Sequence, residues 1–200
     1  MLILAYDTET TGLIRGSDYT NPSAPFLASI AMILYDYVES KIVASLNMPI
    51  KPEGWTMPEE AANINGLTDL YLSTVGAPAS VVLPNAIALA SRADLLVAHN
   101  IDFDTKVIAA ALWRHLINEN VKEEDAHTLI KGWLNKSVYC TMQSSKQIVN
   151  ARNAKGNLKY PKLTEAYKFF FGRELDRAHS ANADAVAVLE VYLALQSHKD

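Results

Sequence analysis

The last helix of this 200-residue chain constrains what everything before it can fold into. Residues 182–197 carry an apolar stripe at helical spacing, with Val188, Val191 and Leu195 flanked by Ala187. The residue heading that stripe is an aspartate, Asp184. A carboxylate on a core-facing stripe is unfavourable unless a partner or a cation takes up its charge. The opposite end of the chain offers more acid. The apolar run Met1–Tyr6 reads as a buried strand and leads straight into Asp7 and Glu9. Residues two apart on a strand share a face, ~6–7 Å apart along it. Such a pair is either part of a site or an exposed strand end with a capping role.

A third acidic position follows the buried strand 94–99, in the first turn of a helix over 102–117. Asp102 and Asp104 both suit the positive end of that helix. Asp102 is assigned to the cap and Asp104 to the site. Asp7, Glu9, Asp104 and Asp184 make sense together only around divalent metal. His179 precedes the last helix by a few residues and is free to reach the same place. Its ordinary pKa of ~6.5 suits proton transfer near neutrality.

The rest of the chain reads as strands first, then alternating helices and strands. Strand-like runs at Phe26–Asp36 and Lys41–Ile50 form a hairpin around Glu39-Ser40, and the Gly/Ser/Asn/Pro-rich stretch 15–25 is a loop. Pro58 with Glu59 and Glu60 starts a helix. Pro84 gives the helix over 79–92 an interruption or a late start. A short strand at Val138–Met142 and helices at about 142–149, 162–171 and 182–197 complete a mixed sheet with helices on both faces.

Composition narrows the partners. A single cysteine, Cys140, excludes an internal disulfide framework and a cysteine-rich zinc site; it reads as a small buried strand residue. The N-terminal apolar run is too short for a signal peptide, and no stretch approaches the ~18 apolar residues of a membrane span, so a cytoplasmic location is expected. Net charge is −4, but it is unevenly spread: residues 1–145 balance at −7 and residues 146–177 at +5. That basic segment carries Tyr160, Tyr167 and Phe169–Phe171, a mixture suited to single-stranded nucleic acid. Phe169–Phe171 alone, like Phe103, read as helix core.

Taken in order, Asp7-Thr8-Glu9-Thr10-Thr11-Gly12-Leu13, His99-Asn100-Ile101-Asp102-Phe103-Asp104 and His179-Ser180-Ala181-Asn182-Ala183-Asp184 resemble the DEDDh family of 3′→5′ exonucleases. That family includes proofreading subunits, ribonuclease T and oligoribonuclease. Ile64-Asn65-Gly66-Leu67-Thr68 is similar to the family's Ile-His-Gly-Ile-Thr segment. The resemblance implies an α/β, ribonuclease-H-like fold with a five-stranded mixed sheet flanked by helices, forming one exonuclease domain over 1–200. It implies two Mg²⁺ or Mn²⁺ ions, both bridged by Asp7, the first also held by Glu9 and Asp184, the second reached by Asp104 partly through water. His179 is then the catalytic base. Thr10, Thr11, Gly12 and Leu13 cradle the 3′-terminal nucleotide, with Leu13 against its base, and Asn65, His99, Asn100 and Phe103 are further substrate contacts.

Two departures from the family pattern are Asn65 in place of histidine and a longer 15–25 loop beside the 3′-end pocket. The implied partner is nucleic acid with a free 3′ end, single-stranded DNA ahead of RNA, because Asp-Thr-Glu-Thr-Thr-Gly looks more like the proofreading branch. The alternative is an exoribonuclease trimming RNA ends or short RNAs. A non-catalytic nucleic-acid-binding module would have lost a ligand, and none is missing. No polymerase domain is attached, so the chain acts alone or joins a polymerase as a separate subunit; its short C-terminal end favours the former. A homodimer is compatible with this reading.

Overall fold

Strict alternation along β1 (Leu2–Thr10) divides its side chains between two cores. Leu4 and Tyr6 enter the larger core, with residues of β2, β4 and three helices. Ile3 and Ala5 enter a second core with Ala181, Ala185, Val188, Leu189 and Tyr192 of the last helix. The computed structural model describes residues 1–176 and 180–198.

Among these residues the sheet has five strands: β1, β2 (Leu27–Asp36), β3 (Lys41–Pro49), β4 (Leu95–Ala98) and β5 (Val138–Cys140). Their spatial order is β3-β2-β1-β4-β5. β2 runs antiparallel to both β1 and β3, while β4 is parallel to β1 and β5 parallel to β4. The β2–β3 hairpin and the mixed sheet are therefore as the sequence suggests. The carboxyl ends of β1, β4 and β5 open on one edge, the usual place for a ligand site in such sheets.

The helices are α1 (Glu59–Asn65), α2 (Asp69–Val75), α3 (Ala79–Ser91), α4 (Ile101–Asn118), α5 (Glu123–Leu134), α6 (Thr141–Val149), α7 (Leu163–Phe171) and α8 (Ala181–Ser197). The α3–α5 group covers one face of the sheet. The opposite face is covered by α8, with α6 and α7 packed behind it. The α3 helix runs through Pro84 without a break. Burial of Val82, Leu83, Ala86 and Ala90 holds it across the hydrogen bond that proline cannot make. The sequence reading did not anticipate α2 or α5. No helix among the described residues is long and apolar enough to cross a membrane.

Two local devices place the elements that matter below. Gly66, at φ 73°, ends α1 in the left-handed region, and Thr68 opens α2 by accepting a hydrogen bond from Tyr71 N at 3.2 Å. The 64–68 segment is thus a helix-to-helix junction. Gly76 lies so close to the end of β3 that a Cβ there would stand 2.4–2.8 Å from backbone atoms of Leu72, Ile50 and Lys51. Only glycine lets α2 lie against the sheet at that point.

Candidate active site

The alternation that builds two cores also divides the acids. Continuing past Ile3 and Ala5, Asp7 and Glu9 face α8, where Asp184 occupies its first turn. One carboxylate oxygen from each of Asp7, Glu9 and Asp184 lies within 4.8 Å of the others. Asp184 is buried, while Asp7 and Glu9 keep part of their surface open. Among the described residues no lysine or arginine pairs with Asp7, Glu9 or Asp104. Burial, then repulsion from Asp104, Asp184 and Glu9, pushes the Asp7 carboxyl well above its usual range. Burial and the neighbouring Asp184 and Asp104 push Glu9 up to about 7. Three crowded carboxylates, with the proton affinity of Asp7 and Glu9 raised, are the donor set that a hard divalent cation satisfies.

Asp104 reaches the same edge from the other side of β1. Thr8, between the two site acids and buried on the α4 face, donates to Asp104 Oδ1 from its N at 3.1 Å and from its Oγ1 at 2.7 Å. Burial raises Asp104 to about 7, and the Thr8 hydrogen bonds oppose that rise. Asp102, one turn-face away, is exposed and pairs with Lys106 at 2.7 Å. It sits in the first turn of α4 without capping it. The cap position belongs to Asn100, whose φ of 72° turns the chain sharply out of β4, with no side-chain cap bond.

Beyond Glu9 a cleft of about 410 Å³ is lined by Thr10, Thr11, Gly12, Leu13, Arg15, Ile64 and Asn65 among others. Leu13 and Ile64 are 81% and 64% exposed, an apolar pair standing open at its wall. Thr10 Oγ1 donates to Gly12 O at 2.7 Å, and Asn65 Nδ2 to Thr10 O at 3.4 Å. Thr11 exchanges two bonds with Phe26, Thr11 N to Phe26 O at 3.0 Å and Phe26 N to Thr11 Oγ1 at 2.8 Å. Phe26 stacks on Trp55 and carries the Arg114 guanidinium 4.3 Å above its ring. Arg114 also donates to Pro25 O at 3.0 Å and to Ala24 O.

The 15–25 loop is anchored as well. Tyr19 OH meets His127 Nδ1 at 2.7 Å and packs edge-on against Trp113. This loop is a brace between the cleft and α4–α5. A neighbouring opening of about 540 Å³ lies between Ile14, Gly16, Ser17 and Asn100, Asp102, Phe103, Lys106.

The sequence-derived residues thus fall into groups. Asp7, Glu9 and Asp184 come together, with Asp104 beside them. Thr10, Thr11, Gly12, Leu13 and Asn65 line one cleft, and Asn100 and Phe103 the adjoining one. His99 has both ring nitrogens engaged inside the fold, Nδ1 with Thr141 Oγ1 and Nε2 with Pro161 O, each at 3.0 Å. It braces β4 against α6 and the segment before α7, which leaves no ring nitrogen for a nucleotide. His179 lies outside the described residues. Thr8, Arg114 and Ile64 were missing from the sequence-derived set. Thr8 could have been found from its place between two site acids on the opposite strand face.

A five-stranded mixed sheet with clustered acids at the carboxyl end of its first strand defines a ribonuclease-H-like nuclease fold. The chain belongs to the RNase T exonuclease family, whose model matches residues 4–192. The DEDDh resemblance of the motifs is thereby borne out.

No curated protein sequence matches the chain. Among solved structures, Escherichia coli exonuclease I in complex with a dA16 oligonucleotide is 18% identical, with a TM-score of 0.75 over 98% of this chain and 41% of that one. The same enzyme with a 5cy-dT13 oligonucleotide gives 18% identity and a TM-score of 0.75, covering 99% and 41%. A zinc-bound form of its single-stranded DNA complex gives 16% and 0.73, again covering 99% and 41%. This chain therefore spans about two-fifths of those proteins' length, and the likeness shows the shared fold.

Proposed function

We propose that this chain is a divalent-metal-dependent 3′→5′ exonuclease that removes nucleotides singly from free 3′ ends of single-stranded DNA, releasing nucleoside 5′-monophosphates. One observation carries the reading: three carboxylates crowd within 4.8 Å of one another, and one of them, Glu9, lines an open cleft of nucleotide size. Asp7, Glu9 and Asp184 would hold metal, with Asp104 completing a second position. Mg²⁺ or Mn²⁺, when bound, would offset the phosphodiester's charge and acidify an attacking water. The DNA preference is supported by the oligodeoxynucleotides bound to E. coli exonuclease I.

The chain's own groups account for the rest. Thr10–Leu13 and Asn65 line the space for the terminal nucleotide, and the exposed Leu13 and Ile64 offer its base an apolar wall. Asn100 and Phe103 line the next opening. His179 is assigned as the base that takes the water's proton, on the chemistry of imidazole and its place in the sequence before Asp184. The water oxygen bonds to phosphorus and the bond to the preceding 3′ oxygen breaks. The shortened strand keeps a 3′ hydroxyl, and the released nucleotide keeps its 5′ phosphate.

Purified protein with 5′- or 3′-labelled single-stranded DNA and RNA, in Mg²⁺, Mn²⁺ or EDTA, tests this. The expected result is a 5′-labelled DNA ladder shortening one nucleotide at a time, immediate mononucleotide from the 3′ label, and silence in EDTA. Faster shortening of RNA would move the substrate to RNA ends. Mononucleotide release from the 5′ label first, or undiminished activity in EDTA, would overturn the reading.

A further inference from the structure

We infer that residues 146–162 form a platform for the single strand on the 5′ side of the scissile phosphate; this rests on the exonuclease reading above. The segment holds five Lys or Arg and no Asp or Glu, on a chain whose first 145 residues balance at −7. Lys159 is committed to Glu165 at 2.5–2.7 Å. Lys146, Arg152 and Lys155 have no carboxylate partner among the described residues, while Lys162 lies beside Glu165, to which its backbone N donates at 2.7 Å. The basic region read from sequence narrows accordingly, because further along Lys168 pairs with Glu174 and Arg173 bonds Tyr167.

The platform is preformed. The 150–160 loop closes on itself through Lys159 N to Ala151 O and Asn153 N to Asn157 O, each at 2.9 Å, with Asn153 Oδ1 accepting from Lys155 N and Asn157 N. Arg152 Nη1 donates to Gly156 O at 3.0 Å, across the loop. Tyr160 is 49% exposed, with Lys146 Nζ 4.1 Å from its ring centroid. A half-open aromatic ring with one cation on it, in a basic segment, matches what single strands use: stacking for bases, charge for phosphates.

Topology places this surface on the correct side. The terminal-nucleotide cleft lies toward α1, at the β1–β2 side of the acids. A scissile phosphate joins the terminal nucleotide to its 5′ neighbour, so a nucleotide in that cleft sends the remaining strand past the acids toward β4 and β5. The platform is rooted there. Pro161 O accepts from His99 Nε2 at the end of β4, and α6, which carries Lys146, starts directly after β5 at Thr141. Five residues of helix place Lys146 ~7–8 Å along from that start.

The test uses fluorescence anisotropy in EDTA, where nothing is hydrolysed, with labelled dT12 and dT3. Variants are Arg152→Glu/Lys155→Glu, Lys155→Glu alone at the exposed loop, and Tyr160→Ala. The double variant should weaken dT12 binding about tenfold or more and lower the ratio of 12-mer to 3-mer affinity. Its slope of log K against log salt should fall by roughly 1.4, about 0.7 for each lost phosphate contact. Undiminished dT12 affinity in all variants would overturn the platform, which is also the result expected of a surface for an acidic protein. A wild-type protein that fails to bind dT12 overturns it too. If wild type binds dT12 and the variants weaken it, but Mg²⁺ brings no shortening, the platform stands and the exonuclease reading falls.

Discussion

The two faces of β1 receive acid in opposite ways. Toward α8, Asp7, Glu9 and Asp184 crowd together, and no Lys or Arg of the described residues pairs with Asp7 or Glu9. Toward α4, Asp104 is met by two donors from Thr8. One face is left electrostatically unfinished and the other is fixed by hydrogen bonds. The difference shows how a single strand, by period two alone, can crowd acids on one side and hydrogen-bond a further acid on the other.

The largest expected effect is Asp7→Asn, which removes a central carboxylate from the crowded face. Several kcal/mol of transition-state stabilisation is at stake, so kcat should fall on the order of 10³-fold or more. Metal-free protein should melt higher than wild type, because a repulsion is removed. A lower metal-free melting point would mean that Asp7 has a stabilising partner instead.

Metal dependence comes next. Glu9 and Asp104 are each pushed up to about 7, so the folded metal-free protein binds more protons than the unfolded chain between the ordinary carboxylate range and about 7. Stability must therefore fall as pH rises through that window, and these groups favour the fold most below it. A cation reverses the trend. At a free concentration 100-fold above Kd it contributes about 2.7 kcal/mol, which raises Tm by roughly 5–10 °C for a chain of this size. Thermal melts at pH 5 and 8, with and without Mn²⁺, check both signs.

Thr8→Val probes the other face. It removes one of two donors to Asp104, so the Asp104 pKa should rise and the acid limb of the rate profile should move to higher pH. Activity at neutrality should fall about 10-fold, the scale of a hydrogen bond to a charged group. Smallest is Arg114→Ala, which frees the Pro25–Phe26 brace behind Thr11. We expect KM to rise a few-fold with kcat nearly constant, partly recovered by Arg114→Lys.

Much of this was legible in sequence because it obeys a period. The stripe below Asp184 is buried as its spacing requires. The three acids on β1 and α8 follow from alternation and helix phase. A similar signal for α5 was present in Ala126, Ile130 and Trp133, at spacings of four and three, all buried. The seven-residue α2 is too short to leave such a trace.

Roles decided by long-range partners were not legible. Asp102 pairs with Lys106 instead of capping, and His99 is claimed by Thr141 and Pro161, the latter 62 residues away. Phe169 is half exposed, while Phe170 packs against the α7–α8 core and Phe171, 38% exposed, sets its ring 4.7 Å from that of buried Tyr167. The 15–25 loop is held by Arg114 and His127, about a hundred residues distant.

Isothermal titration of Mn²⁺ into the protein tests the central claim most directly. Wild type should bind at pH 8, release protons on binding at pH 6.5, and lose this binding in Asp7→Asn and Asp184→Asn. Equal binding by wild type and both variants would contradict the account, because the cation would then be held by something other than the acids at the end of β1.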